Sequence, residues 1–282
     1  MFVINENTIG QAHESVINYI SDNSTCLKTE DGECTIETGE PIAIKVNNPL
    51  QEPMISSASL FKKGFADTYK NSFYSVTLRK NDGTDAVYTY GNRLCDYFSP
   101  TVMFHCSGKR TYVQRIFDKV FSYIGYMPSG VANYIKWKGD GNSGGINQIH
   151  TSIIDRIVKS PNTRRAIAIT WSPNHDIEQN EPPCLQSVYC RVRPHTSYID
   201  LTALFRSNDM LSAWGQNAYG LAYLQKYIVD EINKRSSITY SVGTLETISL
   251  SAHIYYTRDC LELSRFKDKA DIVRSYSSFQ RT

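Results

Sequence analysis

The sequence predicts one α/β domain. Segments with apolar residues at helical spacing alternate along the chain with short segments that have the alternation or the continuous apolar character of strands. The chain has 282 residues, enough to bury a large core, and no repeat or low-complexity segment divides it. We therefore expect residues 1–282 to form a single domain of the α/β (α+β) class.

The composition narrows the functional classes. Hydrophobic residues make up 41% and charged residues 21%, which is typical of a globular protein. The net charge of +2, with no block of Lys or Arg, argues against DNA binding but is compatible with an anionic small molecule. The N-terminus does not resemble a secretion signal, and no apolar run is long enough to span a membrane. The seven cysteines lack zinc spacing. We expect a cytoplasmic protein with reduced thiols, no metal and no membrane association.

The first hundred residues predict two helices and two strands. A helix is expected over residues 9–20, because Ile9, Ala12, Val16, Ile17 and Ile20 fall on one face. A strand is expected over 41–46 and a weakly patterned helix over 60–74. The segment AVYTYGNRL predicts a short aromatic strand that leads into a polar site or a helix start.

The region from 101 to 145 is rich in glycine and poorly patterned, which predicts an insertion or variable loop. Beyond it the pattern becomes regular again, with isoleucines at helical spacing from Ile146 to Ile157 and a short strand in AIAITW. Further strands are expected over 185–192, 198–205 and 249–256, and a helix over about 217–234. The polar tail from Lys267 is expected to be partly mobile.

Several side chains could carry chemistry, although each has an ordinary structural explanation. Cys184 follows two prolines that fix the backbone before it, yet a free cysteine is most often a small buried residue. A thiolate requires an electropositive site, which arginines near strand ends could supply. Asn217 could pair with an amide-like ligand edge or simply cap the following helix. His253 and Tyr255, two apart on a strand, would face the same side.

The order of the motifs points to a family. The chain contains in sequence YGNR, INQI, NTRRAI, PPC, FRSNDM followed by Asn217, and AHIY. This series and its spacing resemble the thymidylate synthase superfamily, which includes the pyrimidine hydroxymethylases. The sequences of the segments YTYGNRL and PPCLQ are closest to those of archaeal-type thymidylate synthases. The resemblance implies the fold of that family, with a large twisted mixed β-sheet flanked by helices.

The resemblance also implies roles for individual residues. Cys184 corresponds to the nucleophile that adds to C6 of the pyrimidine. Tyr90 corresponds to a tyrosine of the active-site water network, and Arg206 to a catalytic arginine that, with Ser207, clamps the phosphate. Asp209 corresponds to a pterin-binding carboxylate.

The remaining correspondences concern the nucleotide and a second subunit. Arg164 and Arg165 match a pair that the partner subunit donates to the phosphate, which implies a homodimer with shared active sites. Asn217 matches the residue that reads the N3–O4 edge of uracil, whereas cytosine-specific relatives use a carboxylic acid there. His253 and Tyr255 match the contacts to the ribose 3′-hydroxyl.

The implied reaction is the conversion of dUMP to dTMP, with 5,10-methylenetetrahydrofolate as co-substrate and no metal. Three features depart from the family pattern. There is no arginine between residues 25 and 46, and the C-terminus has no apolar closing tail. No catalytic glutamate is clear from the sequence, and Glu52 is the nearest candidate. They leave open a deoxyuridylate hydroxymethylase, with a deoxycytidylate hydroxymethylase less favoured. A non-catalytic nucleotide- or RNA-binding protein is the alternative from another class.

Overall fold

The computed structural model describes residues 1–30, 32–80, 82–102, 135–142 and 144–279. Both strands and helices occur throughout this part of the chain. The strands are β1 (Phe2–Glu6), β2 (Thr25–Lys28), β3 (Cys34–Glu37), β4 (Ile42–Val46), β5 (Ser99–Val102), β6 (Ile135–Lys138), β7 (Ile167–Ile169), β8 (Leu185–Val192), β9 (Tyr198–Asp209) and β10 (Ser241–Tyr255).

The helices are α1 (Ile9–Asn23), α2 (Lys63–Tyr69), α3 (Tyr90–Cys95), α4 (Asp155–Lys159), α5 (Pro173–Asp176), α6 (Trp214–Asn233) and α7 (Tyr256–Phe279). Two further helical turns extend this set. A 3₁₀ turn (Lys70–Phe73) continues α2, and a π-helical turn (Ile149–Ile154) leads into α4. No described helix is both long enough and apolar enough to cross a bilayer.

Eight of these strands form one mixed sheet, which is the fold class that the sequence predicts. The strand order is β1-β4-β10-β9-β8-β7, and β3 joins β10 beyond the end of β4 while pairing with β2 on its other side. The pairs β1–β4 and β9–β10 are parallel, and the remaining pairs are antiparallel. The parallel pairing of β9 with β10 is central to the site, because it aligns the C-terminal ends of both strands.

Helices cover one face of the sheet. The row of paired residues Ala168, Val188, Ala203 and Thr247 crosses four strands and is almost fully buried. Helix α6 lies on this face, since the indole Nε1–H of Trp214 donates to the hydroxyl of Thr247 over 2.9 Å. Helix α1 packs beside it with the apolar face that the sequence predicts. Each such buried isoleucine contributes about 1.5–3 kcal/mol.

The structure confirms most of the predicted elements and changes several bounds. Strand β8 has the predicted limits, and strand β4 lies within the predicted 41–46. Helix α1 continues beyond the predicted residue 20 to Asn23, and the helical segment expected from Ile146 to Ile157 runs from Ile149 to Lys159. Strand β9 continues to Asp209, and β10 begins at Ser241. The predicted strand before Tyr90 is wrong, because residues 86–89 pair with no strand, whereas the predicted helix start is confirmed, since Thr89 caps α3. The tail after Lys267 is helical as far as Phe279. The predicted insertion falls largely on residues 103–134, outside the described residues, and stays a prediction.

One further expectation is wrong. Cys26 and Cys34 are not free thiols but form a disulfide across the β2–β3 hairpin, with their Cα atoms 6.3 Å apart. The hairpin brings them together because Lys28 pairs with Cys34 and Cys26 with Ile36, so the two cysteines are diagonal neighbours. The cysteines that are free in the described chain include Cys184.

A close contact between α6 and the 3₁₀ turn can be tested by mutation. A Cβ atom at Gly220 would lie 2.3 Å from the Phe73 ring, which is fully buried and cannot retreat into solvent. We expect Gly220→Ala to lower the free energy of unfolding by about 1–3 kcal/mol, as overpacking does.

The matched control is Gly64→Ala in α2, where nothing lies within 4 Å of the added atom. This change should be neutral or stabilise the protein by about 0.5 kcal/mol. Denaturant unfolding of both variants is the measurement. Equal stability of the two would contradict the described packing.

Candidate active site

The site is built where β8 begins, beside the C-terminal ends of β9 and β10. Cys184 immediately precedes β8, and its carbonyl accepts the backbone N–H of Arg206 on β9 over 2.9 Å. The Arg206 guanidinium donates to the carbonyls of Pro182 (2.8 Å) and Pro183 (3.2 Å). The structure thus brings the predicted thiol and the predicted arginine together.

The thiol of Cys184 is half-buried, and opposing influences act on it. Burial raises the pKa of Cys184 above its ordinary value, whereas the positive charge of Arg206 acts to lower it. The charge of Glu181 adds to the increase, and a hydrogen bond with Tyr88 opposes it. In the ligand-free protein the thiol is therefore protonated at neutral pH, beside a fixed cation that favours the thiolate.

Three tyrosines surround this thiol. Tyr90, which the sequence predicts, opens α3 and has a pKa well above its ordinary value because it is buried and faces Tyr88, Cys184 and Tyr69. Burial likewise raises the pKa of Tyr88 to about 12, and its ring lies 5.8 Å from that of Tyr90. All three phenols are therefore neutral hydrogen-bonding groups at physiological pH.

Sequence reasoning missed Tyr69 and Tyr88. Tyr88 could have been found, because it stands two residues before Tyr90 in the same motif and so shares its location. Tyr69 could not, because it lies at the end of a weakly patterned helix, 115 positions before Cys184, and only the fold brings it to the site. Tyr69, residues 85–90 and Glu181 line an open cleft of about 490 Å³.

Asn217 lies in this tyrosine cluster. Its side chain is buried, and its Oδ1 accepts a hydrogen bond from the Tyr69 hydroxyl over 2.9 Å. The alternative that Asn217 caps a helix is wrong, since α6 begins three residues earlier at Trp214 and Ala213 holds the N-cap position. No described residue hydrogen-bonds the Nδ2 group, which leaves it available to a ligand.

The ends of β9 and β10 bring the predicted sugar and phosphate residues together. In the parallel register, Ser207 pairs with Ser251 and Asp209 with His253. The Ser207 hydroxyl lies 3.5 Å from Nδ1 of His253, and the rings of His253 and Tyr255 are 4.9 Å apart in an edge-to-face arrangement. His253 and Tyr255 therefore face the same side of the sheet, as predicted.

Asp209 organises the turn that leads into α6. Its carboxylate accepts the backbone N–H groups of Leu211 and Ser212 over 3.1 and 3.0 Å, and the Arg258 guanidinium donates to it over 3.1 Å. Burial raises the pKa of Asp209, while the Ser212 amide and the positive charge of Arg258 act against that increase. The carboxylate is thus held in place without any ligand.

Arg164 and Arg165 do not join this cluster. Both are exposed and line a separate basic cleft of about 450 Å³, together with Arg156, Lys159 and Thr163. They precede β7, at the opposite edge of the sheet from β1. The structure gives them no contact with Cys184 or Arg206 of the same chain.

Glu52, the nearest acidic candidate in the sequence, is also apart from the thiol. It is exposed, pairs with Lys63 over 2.8 Å and accepts the Met54 amide over 2.9 Å. The hydrogen bond from Lys63 is the main reason that the pKa of Glu52 is lowered. In the described residues, no group of three or more His, Cys, Asp or Glu side chains is arranged to bind a metal ion.

Known proteins share this sequence pattern. A family model described as thymidylate synthase matches residues 105–269, more than half of the chain. A protein of Methanosarcina barkeri named "Putative thymidylate synthase" is 41% identical over 103 residues, which cover 36% of this chain and 44% of the relative.

A protein with the same name from Methanothermobacter marburgensis is 34% identical over 131 residues, or 46% of this chain and 52% of that protein. The aligned segments of these relatives thus span about half of their length. Alignment with a third protein of that name, from Methanocaldococcus jannaschii, extends over 264 residues at 29% identity and covers 92% of this chain and 93% of the relative.

The segment matched by the family model contains Cys184, Arg206 and Asn217, together with the ends of β9 and β10 that meet beside them. The resemblance predicted from the ordered motifs is confirmed, and with it the mixed-sheet fold. The chain belongs to the thymidylate synthase family.

Proposed function

We propose that the protein is a methyltransferase that converts dUMP to dTMP, with 5,10-methylenetetrahydrofolate as the source of the one-carbon unit and the hydride. One observation carries the proposal. Cys184 is held beside the Arg206 guanidinium, within a cluster of neutral tyrosines that also contains the buried amide of Asn217. This combination offers a nucleophile, an anion-binding group and a base-reading amide in one place.

The chemistry of the thiol follows from these neighbours. Addition of the Cys184 thiolate to C6 of a uracil ring turns C5 into a carbanion-like centre that can take a one-carbon unit. The phosphate of the nucleotide would meet the guanidinium of Arg206 and the hydroxyl of Ser207. The guanidinium is already oriented by two backbone carbonyls, so little side-chain entropy is lost when the anion binds.

The base and the sugar of the nucleotide would meet hydrogen-bonding groups that complement them. Uracil presents an N3–H donor beside an O4 acceptor, and the carboxamide of Asn217 can satisfy both. His253 and Tyr255 would hold the ribose 3′-hydroxyl, and Ser207 would favour a deoxy sugar, as the family resemblance implies. Asp209, at the start of the turn into α6, would bind the pterin of the folate.

A homodimer with shared sites is part of the proposal, and the uncovered face of the sheet supports it. Across this face, the row Ile169, Ser187, Leu204 and Ile248 crosses four strands. Ile167 and Ile169 are 44% and 42% exposed, and Leu250, further along β10, is 51% exposed. A second copy packed on this apolar surface would cover it.

The same dimer would explain Arg164 and Arg165. Both precede β7 at the edge of this face and contact no nucleotide-binding residue of their own chain. We propose that they reach the phosphate in the partner's site. The enzyme would act in the cytoplasm, as the sequence predicts.

The identity of the product tests the proposed function. After incubation of the protein with dUMP and 5,10-methylenetetrahydrofolate, we expect mass analysis to find dTMP and dihydrofolate. Cys184→Ala should abolish the product and the covalent adduct with 5-fluoro-dUMP, because the C6 bond cannot form.

The control for this experiment is Cys260→Ala, which removes a free thiol that has no assigned role in the site and should keep full activity. A hydroxymethyl product with tetrahydrofolate would instead identify a deoxyuridylate hydroxymethylase. The absence of both adduct and turnover would favour the non-catalytic nucleotide- or RNA-binding alternative.

Shared sites can be tested by mixing inactive variants. We expect Cys184→Ala and the double variant Arg164→Ala/Arg165→Ala to be inactive or nearly so as homodimers. After subunit exchange in an equal mixture, half of the dimers are mixed, and each mixed dimer has one site with both the thiol and the partner arginines. About a quarter of the wild-type activity should therefore return. The assay is dTMP formation before and after exchange. No recovery, with exchange shown by mass spectrometry, would contradict sharing.

The charges around Cys184 predict opposite shifts in its titration. Because Arg206 lowers and Glu181 raises the pKa of the thiol, Arg206→Gln should move the midpoint of alkylation to higher pH, and Glu181→Gln should move it to lower pH. The measurement is the rate of iodoacetamide labelling of Cys184 against pH, by peptide mass spectrometry. Shifts in the same direction for both variants would refute this electrostatic account.

A further inference from the structure

A carboxamide alone does not distinguish uracil from cytosine. Cytosine has an acceptor at N3 and a donor at N4, the reverse of the uracil pattern. An Asn side chain rotated by half a turn about its last bond exchanges its own donor and acceptor, so it can complement either base. Discrimination therefore requires a group that holds the amide of Asn217 in one orientation.

Tyr69 is placed to be that group. Its hydroxyl donates to Oδ1 of Asn217 over 2.9 Å, which fixes Oδ1 as the acceptor end and directs Nδ2 away from the phenol. The Tyr69 ring is itself confined, because it stacks on Phe65 at 6.0 Å and meets the buried Phe73 edge-to-face at 5.6 Å. One lone pair of Oδ1 remains for the N3–H of uracil.

The opposite orientation of the amide would be penalised by the phenol. Burial raises the pKa of Tyr69, so it keeps its proton at all physiological pH values. After rotation of Asn217, Nδ2 would donate to the phenol oxygen, and the phenol proton would lose its acceptor. No other described residue accepts a hydrogen bond from this hydroxyl. Tyr69 is half-buried, and a donor of this kind that loses its partner is costly, a cost that falls on the complex with cytosine alone.

We propose that Tyr69 is a positioning residue that sets base specificity, by holding the Asn217 amide in the orientation that accepts uracil and rejects cytosine. The inference rests on the proposed function and adds to it the origin of the base selectivity. Tyr69 acts through Asn217 and has no part in bond formation.

The test compares Tyr69→Phe with the wild-type protein on dUMP and dCMP. We expect the ratio of kcat/KM for dUMP to that for dCMP to fall by roughly 5- to 100-fold, which corresponds to one unsatisfied buried donor. General damage to the site would lower both values and leave their ratio unchanged, so the ratio separates orientation from stability.

Two further variants sharpen the result. Tyr74→Phe removes a similar hydrogen bond, from the exposed Tyr74 hydroxyl to Oδ1 of Asn71 at 2.7 Å, and should leave the ratio unaltered. In an Asn217→Ala background, which has no amide to orient, Tyr69→Phe should no longer change the relative binding of the two nucleotides.

An unchanged ratio in an active Tyr69→Phe enzyme would overturn the inference and leave the proposed function intact. A shift of equal size in the Asn217→Ala background would also overturn it. If the wild-type protein neither binds nor converts dUMP, the proposed function fails, and the inference fails with it.

Discussion

The contact between Arg206 and the two residues before Cys184 is the interaction on which the site depends. Pro182 and Pro183 have no N–H groups and cannot continue the β8 ladder, but their carbonyls remain free to accept. Arg206 uses both of them, while its backbone N–H binds the carbonyl of Cys184. A single residue thereby fixes the path of the chain into Cys184, the proposed nucleophile, and places a positive charge beside it.

This arrangement requires that β9 lie between β8 and β10. On one side, antiparallel pairing with β8 brings Arg206 to Cys184. On the other, parallel pairing with β10 sets Ser207 and Asp209 level with the segment that carries His253. Three strands thus contribute to one site because β9, the middle strand, pairs with both of the others.

The sequence predicted the elements with a strong local pattern and missed those that depend on distant contacts. The apolar face of α1 and the full length of β8 could be found because their burial follows one period. Strand β1 was missed because a five-residue strand at an edge has little pattern of its own. The prediction that Asn217 caps a helix was wrong because α6 begins at the apolar Trp214, and the sequence there carries no capping signal.

The same limit applies to the site. The ordered motifs predicted Cys184, Arg206 and His253 as candidate site residues, since each motif consists of a few adjacent residues. Tyr69 escaped, because its importance lies in a hydrogen bond to a residue 148 positions away. The disulfide between Cys26 and Cys34 escaped for a related reason, since only the register of the β2–β3 hairpin makes them neighbours.

A buried ionic network holds α3, the helix that begins with Tyr90, in place. Arg93, in the last turn of α3, is 2% exposed and makes a two-pronged pair with the fully buried carboxylate of Asp176 at 2.7 and 2.8 Å. Such a pair seldom stabilises a fold more than apolar side chains of the same volume would, yet it fixes direction much more strictly. The same guanidinium donates to the carbonyl of Thr170, whose hydroxyl in turn binds the carbonyl of Leu185.

This chain of contacts links the helix that Tyr90 opens to the residue that follows Cys184. The position of the tyrosines relative to the thiol is therefore set by directional polar contacts rather than by apolar packing alone. Apolar contacts would allow the helix to slide by a fraction of an ångström at little cost, whereas a two-pronged ion pair would not. The nucleophilic role that we propose for Cys184 requires the thiol to meet a planar ring in one orientation, which the ion pair secures more strictly than apolar packing.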